Sequence, residues 1–205
     1  MSPLGFLLAR TLRQEARLEA LSVPQSALLG DLAGKRVALV GNARALGDAR
    51  HGAQIDAADI VIRINRAPMP AATSHGTRTD WLALATSLPR TDYTRLRPSR
   101  VLWMSPKRKR LSHAIATSPG FYLHPLHDYT ALRDQFDAPP TTGLMLIALL
   151  SRASLMGLTL YGFDFFASLS LSGRRTAAQV PHNFAAEAAF VAALMARDSR
   201  ITRAE

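Results

Sequence analysis

Thr141, Thr142 and Gly143 follow the pair Pro139-Pro140 and precede an unbroken apolar run, which is where a helix should begin. The first N–H groups of a helix have no partner inside it and lie at the positive end of its dipole, so this step can hold a phosphate or a carboxylate. Threonine is equally a routine N-cap, and both readings stay open. Asn42, the pair Arg63 and Asn65, and the pair Gly162 and Asp164 each stand at the end of a short apolar run. Lys107, Arg108, Lys109 and Arg110 form a dense basic run, either a solvated face or a contact for a phosphate or polyanion. His124 and His127 flank Pro125 at a spacing that suits a metal, but no third ligand is evident. The loop Gly41 to Gly47 lacks the G-x-G-x-x-G spacing, and no acidic residue ends the next strand, which argues against NAD. No G-x-x-x-x-G-K-[ST] loop is present, which argues against an ATPase of that kind.

The elements that must carry these residues alternate in type. Residues 36 to 41 and 59 to 64 are short β-rich apolar runs of the kind buried parallel strands show, and 79 to 85, 100 to 104, 121 to 123 and 158 to 161 are further strand candidates. Residues 87 to 92 have a loop-like composition. An apolar helix is predicted from Thr141 to about Ser154, and another from about Phe184 to Met195. Strands alternating with helices predict an α/β domain with a mainly parallel sheet, in which ligands bind beyond the carboxyl ends of the strands. The polar residues named above sit at those ends. Leucines at 4, 7, 8, 12, 18 and 21, interleaved with Arg10, Arg13 and Arg17, predict one amphipathic helix over 4 to 22 ended by Pro24. Such a helix either packs on its own domain or lies on an acidic membrane. The segment 167 to 178, rich in Ser and Arg around Gly173, has the composition of a mobile loop.

A chain of 205 residues suffices for one domain with a full core; 48% hydrophobic and 20% charged residues are ordinary for a globular protein. The expected division is an N-terminal helix and linker over 1 to 30 and one α/β domain over 31 to 205. Lys and Arg outnumber Asp and Glu by 25 to 15, and the net charge of +10 gives a field that attracts anions without naming which. The absence of cysteine means no disulfide and no need for an oxidising compartment, so a bacterial cytoplasmic protein, or one peripheral to the inner membrane, is expected. Residues 1 to 10 do not have the pattern of a signal peptide or membrane span.

Three strings in order resemble the sialyltransferases of glycosyltransferase family 29. The large motif is similar to Val37-Ala-Leu-Val-Gly-Asn42, Gly52-Ala-Gln-Ile-Asp56, Asp59, Arg63-Ile-Asn65-Arg-Ala-Pro68 and Gly76-Thr-Arg-Thr79. The small motif resembles Pro140-Thr-Thr-Gly143 with the helix behind it and Tyr161-Gly-Phe163, and the very small motif resembles His182 followed five positions later by Glu187.

The resemblance implies a single-domain Rossmann-like fold of variant GT-A type. It also implies an inverting, metal-independent transfer of sialic acid, or of the related acid Kdo, from its CMP ester to a glycan hydroxyl. By this likeness Asn42 and Asn65 reach the phosphate and ribose side of CMP, with Arg63 in support. Thr141, Thr142 and Gly143 hold the ribose, carboxylate or phosphate, and Gly162 lies against cytosine. His182 is the general base; an imidazole with an ordinary pKa of about 6.5 can take a proton from a sugar hydroxyl near neutrality. Glu187 is a partner or structural group, and His124 and His127 can line the acceptor side. No cofactor is implied, and the partners are the sugar nucleotide and the acceptor glycan. Val37 and Leu155 stand where animal members have a disulfide, suggesting the same packing without the covalent link. The family's third motif is not recognisable between Phe165 and Pro181; Arg174 or Arg175 is the expected substitute near the donor phosphate. Two other classes remain: a CMP-binding homologue without catalysis, and a basic nucleic-acid-binding protein. The second leaves the ordered Asn42, Asn65, Thr142, Gly162 and His182 set without a role.

Overall fold

The computed structural model describes residues 1–164 and 181–204. Seven short strands form one parallel sheet: β1 (Arg36–Val40), β2 (Ile60–Ile64), β3 (Trp81–Leu84), β4 (Arg100–Trp103), β5 (Tyr122–Leu123), β6 (Gly157–Tyr161) and β7 (Ile201–Arg203), in the order β5-β4-β3-β2-β1-β6-β7. From β1 the chain steps outward to β5 and then returns to lay β6 on the other side of β1. The order in which strands are added therefore reverses between β1 and β6, and a crevice opens at such a switch point beyond the strand ends. Val40 pairs in register with both Arg63 and Tyr161, so β1, β2 and β6 finish level with one another.

Ten helices cover the two faces among the described residues: α1 (Pro3–Thr11), α2 (Glu15–Glu19), α3 (Gln25–Gly30), α4 (Gly52–Asp56), α5 (Ala72–His75), α6 (Arg90–Leu96), α7 (His113–Ala116), α8 (Leu126–Phe136), α9 (Thr142–Leu150) and α10 (Phe184–Arg197). Alternate residues of each strand enter opposite layers. Leu39, Ile62, Ala83, Leu102 and Leu160 pack with α3, α8, α9 and α10, while Leu82, Leu84, Val101 and Trp103 pack with α1, α2, α6 and α7. Leu46 and Ile55 join Ala38, Val40, Val61 and Tyr161 in a smaller cluster on the second face. Val37 and Leu155 are buried in the first cluster together.

The predicted helix over 4 to 22 is two helices. Arg13 takes a positive φ of 53°, and the N–H groups of Arg13 and Gln14 turn back to Arg10 O and Ala9 O, so the chain bends and buries Phe6 and Leu18 against the same layer. Arg108, inside the basic run, is buried and gives two hydrogen bonds to Glu15 Oε1, at 2.9 and 2.6 Å, and one to His124 O. Lys107, Lys109 and Arg110 remain exposed. The Ser- and Arg-rich segment expected to be a loop, with Arg174 and Arg175, lies outside the described residues.

Candidate active site

At the end of β1 the chain passes through Gly41 within touching distance of the end of β6. A Cβ on Gly41 would collide with the carbonyl oxygen of Gly162. Gly162 itself has φ +66°, a conformation that penalises any side chain, and its oxygen accepts from Ala43 N–H at 3.2 Å. These two glycines close the floor of the switch point.

Asn42 lies on this floor and donates from Nδ2 to Ile64 O at 3.1 Å, tying β1 to the end of β2. Asn65 follows with φ 54°, a left-handed turn that asparagine tolerates better than most residues. Its Oδ1 accepts from Ala85 N–H at 2.9 Å, so the group it can offer a ligand is the Nδ2 amide. With strands about 4.8 Å apart, the level ends of β1, β2 and β6 set Asn42, Asn65 and Gly162 within roughly 10 Å of one another. Arg44 and Arg66, beside the two asparagines in sequence, are exposed at the same end of the sheet. Sequence reasoning passed over both, since a lone arginine in a loop carries no pattern.

Arg63 does not project to this rim. It is buried, with Nε donating to Arg78 O and an Nη to His75 O, both at 2.7 Å. Burial lowers its pKa to about 10, against the pull of Asp56 in the opposite sense. Asp56 in turn accepts from the backbone N–H of Thr77 and Arg78 and from the Thr77 hydroxyl. Burial pushes the Asp56 carboxyl up, but these hydrogen bonds outweigh it and leave the pKa below the usual range. Asp56, Arg63, Gly76 and Thr77 thus fasten the crossover from β2 to β3.

α9 approaches the floor from the other layer. Leu144, Met145, Leu146, Ile147, Leu149 and Leu150 are all buried, at about 1.5–3 kcal/mol for each large apolar side chain, which holds the start of the helix in place. Thr141 is its N-cap: Oγ1 accepts from Leu144 N–H at 3.0 Å, while its hydroxyl and N–H both donate to the Glu187 carboxylate at 2.6 and 2.8 Å. The N–H groups of Thr142 and Gly143 are the ones that open the helix without an intrahelical partner. Gly143 lies under Phe163, whose Cε1 would stand 2.7 Å from an added Cβ, so α9 meets the residue just after Gly162.

Glu187, on the first turn of α10, is 2% exposed. Burial raises its pKa; the two Thr141 hydrogen bonds and the nearby His182 act against that shift. His182 precedes α10 and binds Pro139 O through Nδ1 at 2.7 Å. A carbonyl can only accept, so Nδ1 is the donor nitrogen of this contact, and in the neutral ring the lone pair is then on Nε2. Pro139 was not foreseen as part of the site, because a backbone carbonyl leaves no trace in residue type.

Three contacts between segments therefore link these residues: Gly41 meets Gly162, Phe163 meets Gly143, and His182 meets Pro139, two residues before Thr141. His124 and His127 do not join it. His124 directly follows β5, four strands or about 19 Å from β1, and is 2% exposed with both ring nitrogens unpartnered among the described residues. Burial lowers its pKa to about 4, Asp128 opposing. His127 is an exposed residue of α8 beside Asp128.

The model of glycosyltransferase family 29 (sialyltransferase) matches residues 3–114, more than half of the 205. The chain belongs to glycosyltransferase family 29. It is an enzyme of the sialyltransferase family, and the matched stretch includes Asn42 and Asn65, while Thr141, Gly162 and His182 lie beyond it. A mammalian sialyltransferase in complex with Gal-β-1-3GalNAc-ortho-nitrophenol superposes with a TM-score of 0.59, at 18% identity, over 88% of this chain and 78% of that one. The sialyltransferase CstII from Campylobacter jejuni, in complex with the substrate analogue cytidine-5′-monophosphate, gives 0.50 at 14% identity over 78% and 76%. At such identities the likeness is one of fold. No curated protein matches significantly.

Proposed function

We propose that this member of the family transfers sialic acid, or the related acid Kdo, from its CMP ester to a hydroxyl of an acceptor glycan, inverting the anomeric carbon and needing no metal. The observation that carries the reading is the fixed tautomer of His182 beside the open start of α9, on one rim with the switch-point glycines. His182 Nε2 takes the acceptor hydroxyl proton as the oxygen bonds to the anomeric carbon. The bond from that carbon to the phosphate oxygen breaks, and its electron pair leaves on CMP. The Thr142 and Gly143 N–H groups and the dipole of α9 face the developing negative charge. Asn42 and Asn65 orient the nucleotide, the bare backbone of Gly162 lets cytosine approach, and Arg174 or Arg175 is the proposed further phosphate partner. The bound ligands of the two neighbours, a disaccharide acceptor and cytidine-5′-monophosphate, have the chemistry of the two substrates assigned here.

The test compares thermal unfolding with CMP, AMP, UMP and single-stranded DNA, since a ligand bound only by the folded state adds about 2.7 kcal/mol at a hundred times its Kd. CMP alone should raise Tm, and His182→Ala should lower transfer from the CMP-sugar by roughly 10²–10⁴-fold while keeping that shift. The wild-type rate should survive chelation by EDTA, and rates with the two CMP-sugars decide between sialic acid and Kdo. Equal stabilisation by all nucleotides, or an active His182→Ala, overturns the assignment.

A further inference from the structure

Among the described residues, five of the six large apolar side chains that stand exposed are Met1, Leu4, Leu7, Leu8 and Leu12, and Leu4 and Leu12 are 67% and 62% exposed. Leu4, Leu7 and Leu8 form one stripe on α1, continued by its C-cap Leu12 and with Met1 just before it, opposite Phe6 and Ala9, which are buried against α7 and the sheet. The spacing of 4, 8 and 12 with 7 between is one helical face. No acidic residue occurs before Glu15, whose carboxylate is bound to Arg108. Arg10 and Arg13 line, with Lys107 and Lys109, a cavity of about 570 Å³ between α1 and the turn that follows β4. Arg13, Lys107, Lys109 and Arg110 are exposed. Leucines on one face of a helix, rimmed by cations, have the chemistry of a segment lying in the boundary of an acidic bilayer.

We infer that this face docks the enzyme on an anionic lipid surface, the leucines of α1 entering the acyl boundary and Arg13, Lys107, Lys109 and Arg110 meeting the headgroups. A second copy of the chain is a poorer occupant, because pairing the two stripes would bring two like-charged rims together, whereas an acidic bilayer neutralises them. The turn bearing Lys107 to Arg110 leads off the carboxyl end of β4, three strands or about 14 Å from β1, so docking holds the site rim beside the lipid.

Flotation of the full chain with vesicles of phosphatidylglycerol and phosphatidylcholine, against phosphatidylcholine alone, tests this. The protein should float with the acidic vesicles and lose on the order of tenfold in affinity in 0.5 M salt. The triple variant Leu4→Ser, Leu8→Ser, Leu12→Ser and the triple variant Lys107→Ala, Lys109→Ala, Arg110→Ala should each release it. Both alter exposed side chains, so the Tm and the CMP-induced shift in Tm should stay as in the wild type, which separates this result from failure of the donor site. No flotation, flotation unchanged in both variants, or a concentration-dependent dimer that the leucine variant abolishes would each overturn the inference.

Discussion

His182 and Glu187 both fasten the approach to α9, one through its Nδ1 contact with Pro139 O and the other by holding Thr141. In Glu187→Gln the amide nitrogen cannot accept the Thr141 hydroxyl, which now sits 2.6 Å from Oε2. A buried donor then faces a donor, and a loss of about 1–3 kcal/mol is expected, read as a lower Tm, together with weaker stabilisation by CMP as the cap loosens. His124 makes a separate prediction at pH. Its folded pKa of about 4 lies below the ordinary 6.5, so the unfolded chain binds the proton first, and stability contributed above pH 6.5 is lost as pH falls toward 4. Over that window the loss is on the order of 3 kcal/mol. His75, also lowered by burial and by Arg63, acts in the same direction, so the contribution of His124 is the difference between wild type and His124→Leu. The variant, which removes two unpartnered nitrogens at similar volume, should be as stable at pH 7 and fall less steeply into acid in urea titrations at stepped pH.

The elements β1, β6 and α9 meet through glycines, and substitutions there act on the element rather than on a contact. Gly162→Ala would hold alanine at φ +66° with Leu46 Cδ2 3.0 Å from its Cβ; a cost of about 1–2 kcal/mol from the backbone alone is expected in denaturant unfolding. Gly41→Ala should be worse, because the obstacle is main-chain oxygen that cannot rotate away. Strands β1, β2 and β6 are legible in the sequence since each is a nearly unbroken apolar run, and α9 because it is apolar almost all round. Several elements are not, among them the helices α3, α4, α5, α7 and α8, and three further features show why. α6, where a loop-like composition was read up to Asp92, buries only Leu96 and is bounded by Pro89 and a left-handed Arg97, so it has no apolar face to betray it. β7 buries only Ile201, and its strand character comes from pairing with β6. The bend at Arg13 has neither Gly nor Pro to mark it; tertiary packing of Phe6 and Leu18 imposes it. In the site, the strand-end positions of Asn42, Asn65 and Gly162 follow from the pattern, whereas the hydrogen bonds of His182 and Thr141 join segments more than forty residues apart.

Across the whole molecule, a charge of +10 meets a donor that carries both a phosphate and a carboxylate. Long-range attraction of that kind is screened over a Debye length of about 10 Å at 0.1 M salt. The apparent KM for the CMP-sugar should therefore rise between 20 and 500 mM NaCl while kcat changes little, with Arg44→Ala and Arg66→Ala reducing the slope. The order of strands has a further consequence, during synthesis. β1 gains its second neighbour only when β6 arrives, so a chain emerging from the ribosome holds one flank of β1 unpaired until Gly157 and the residues after it have been made. Any nascent product halted earlier keeps Asn42 and Asn65 yet lacks the β6 side of the proposed nucleotide cleft, and presents a bare apolar strand edge to chaperones and to other chains.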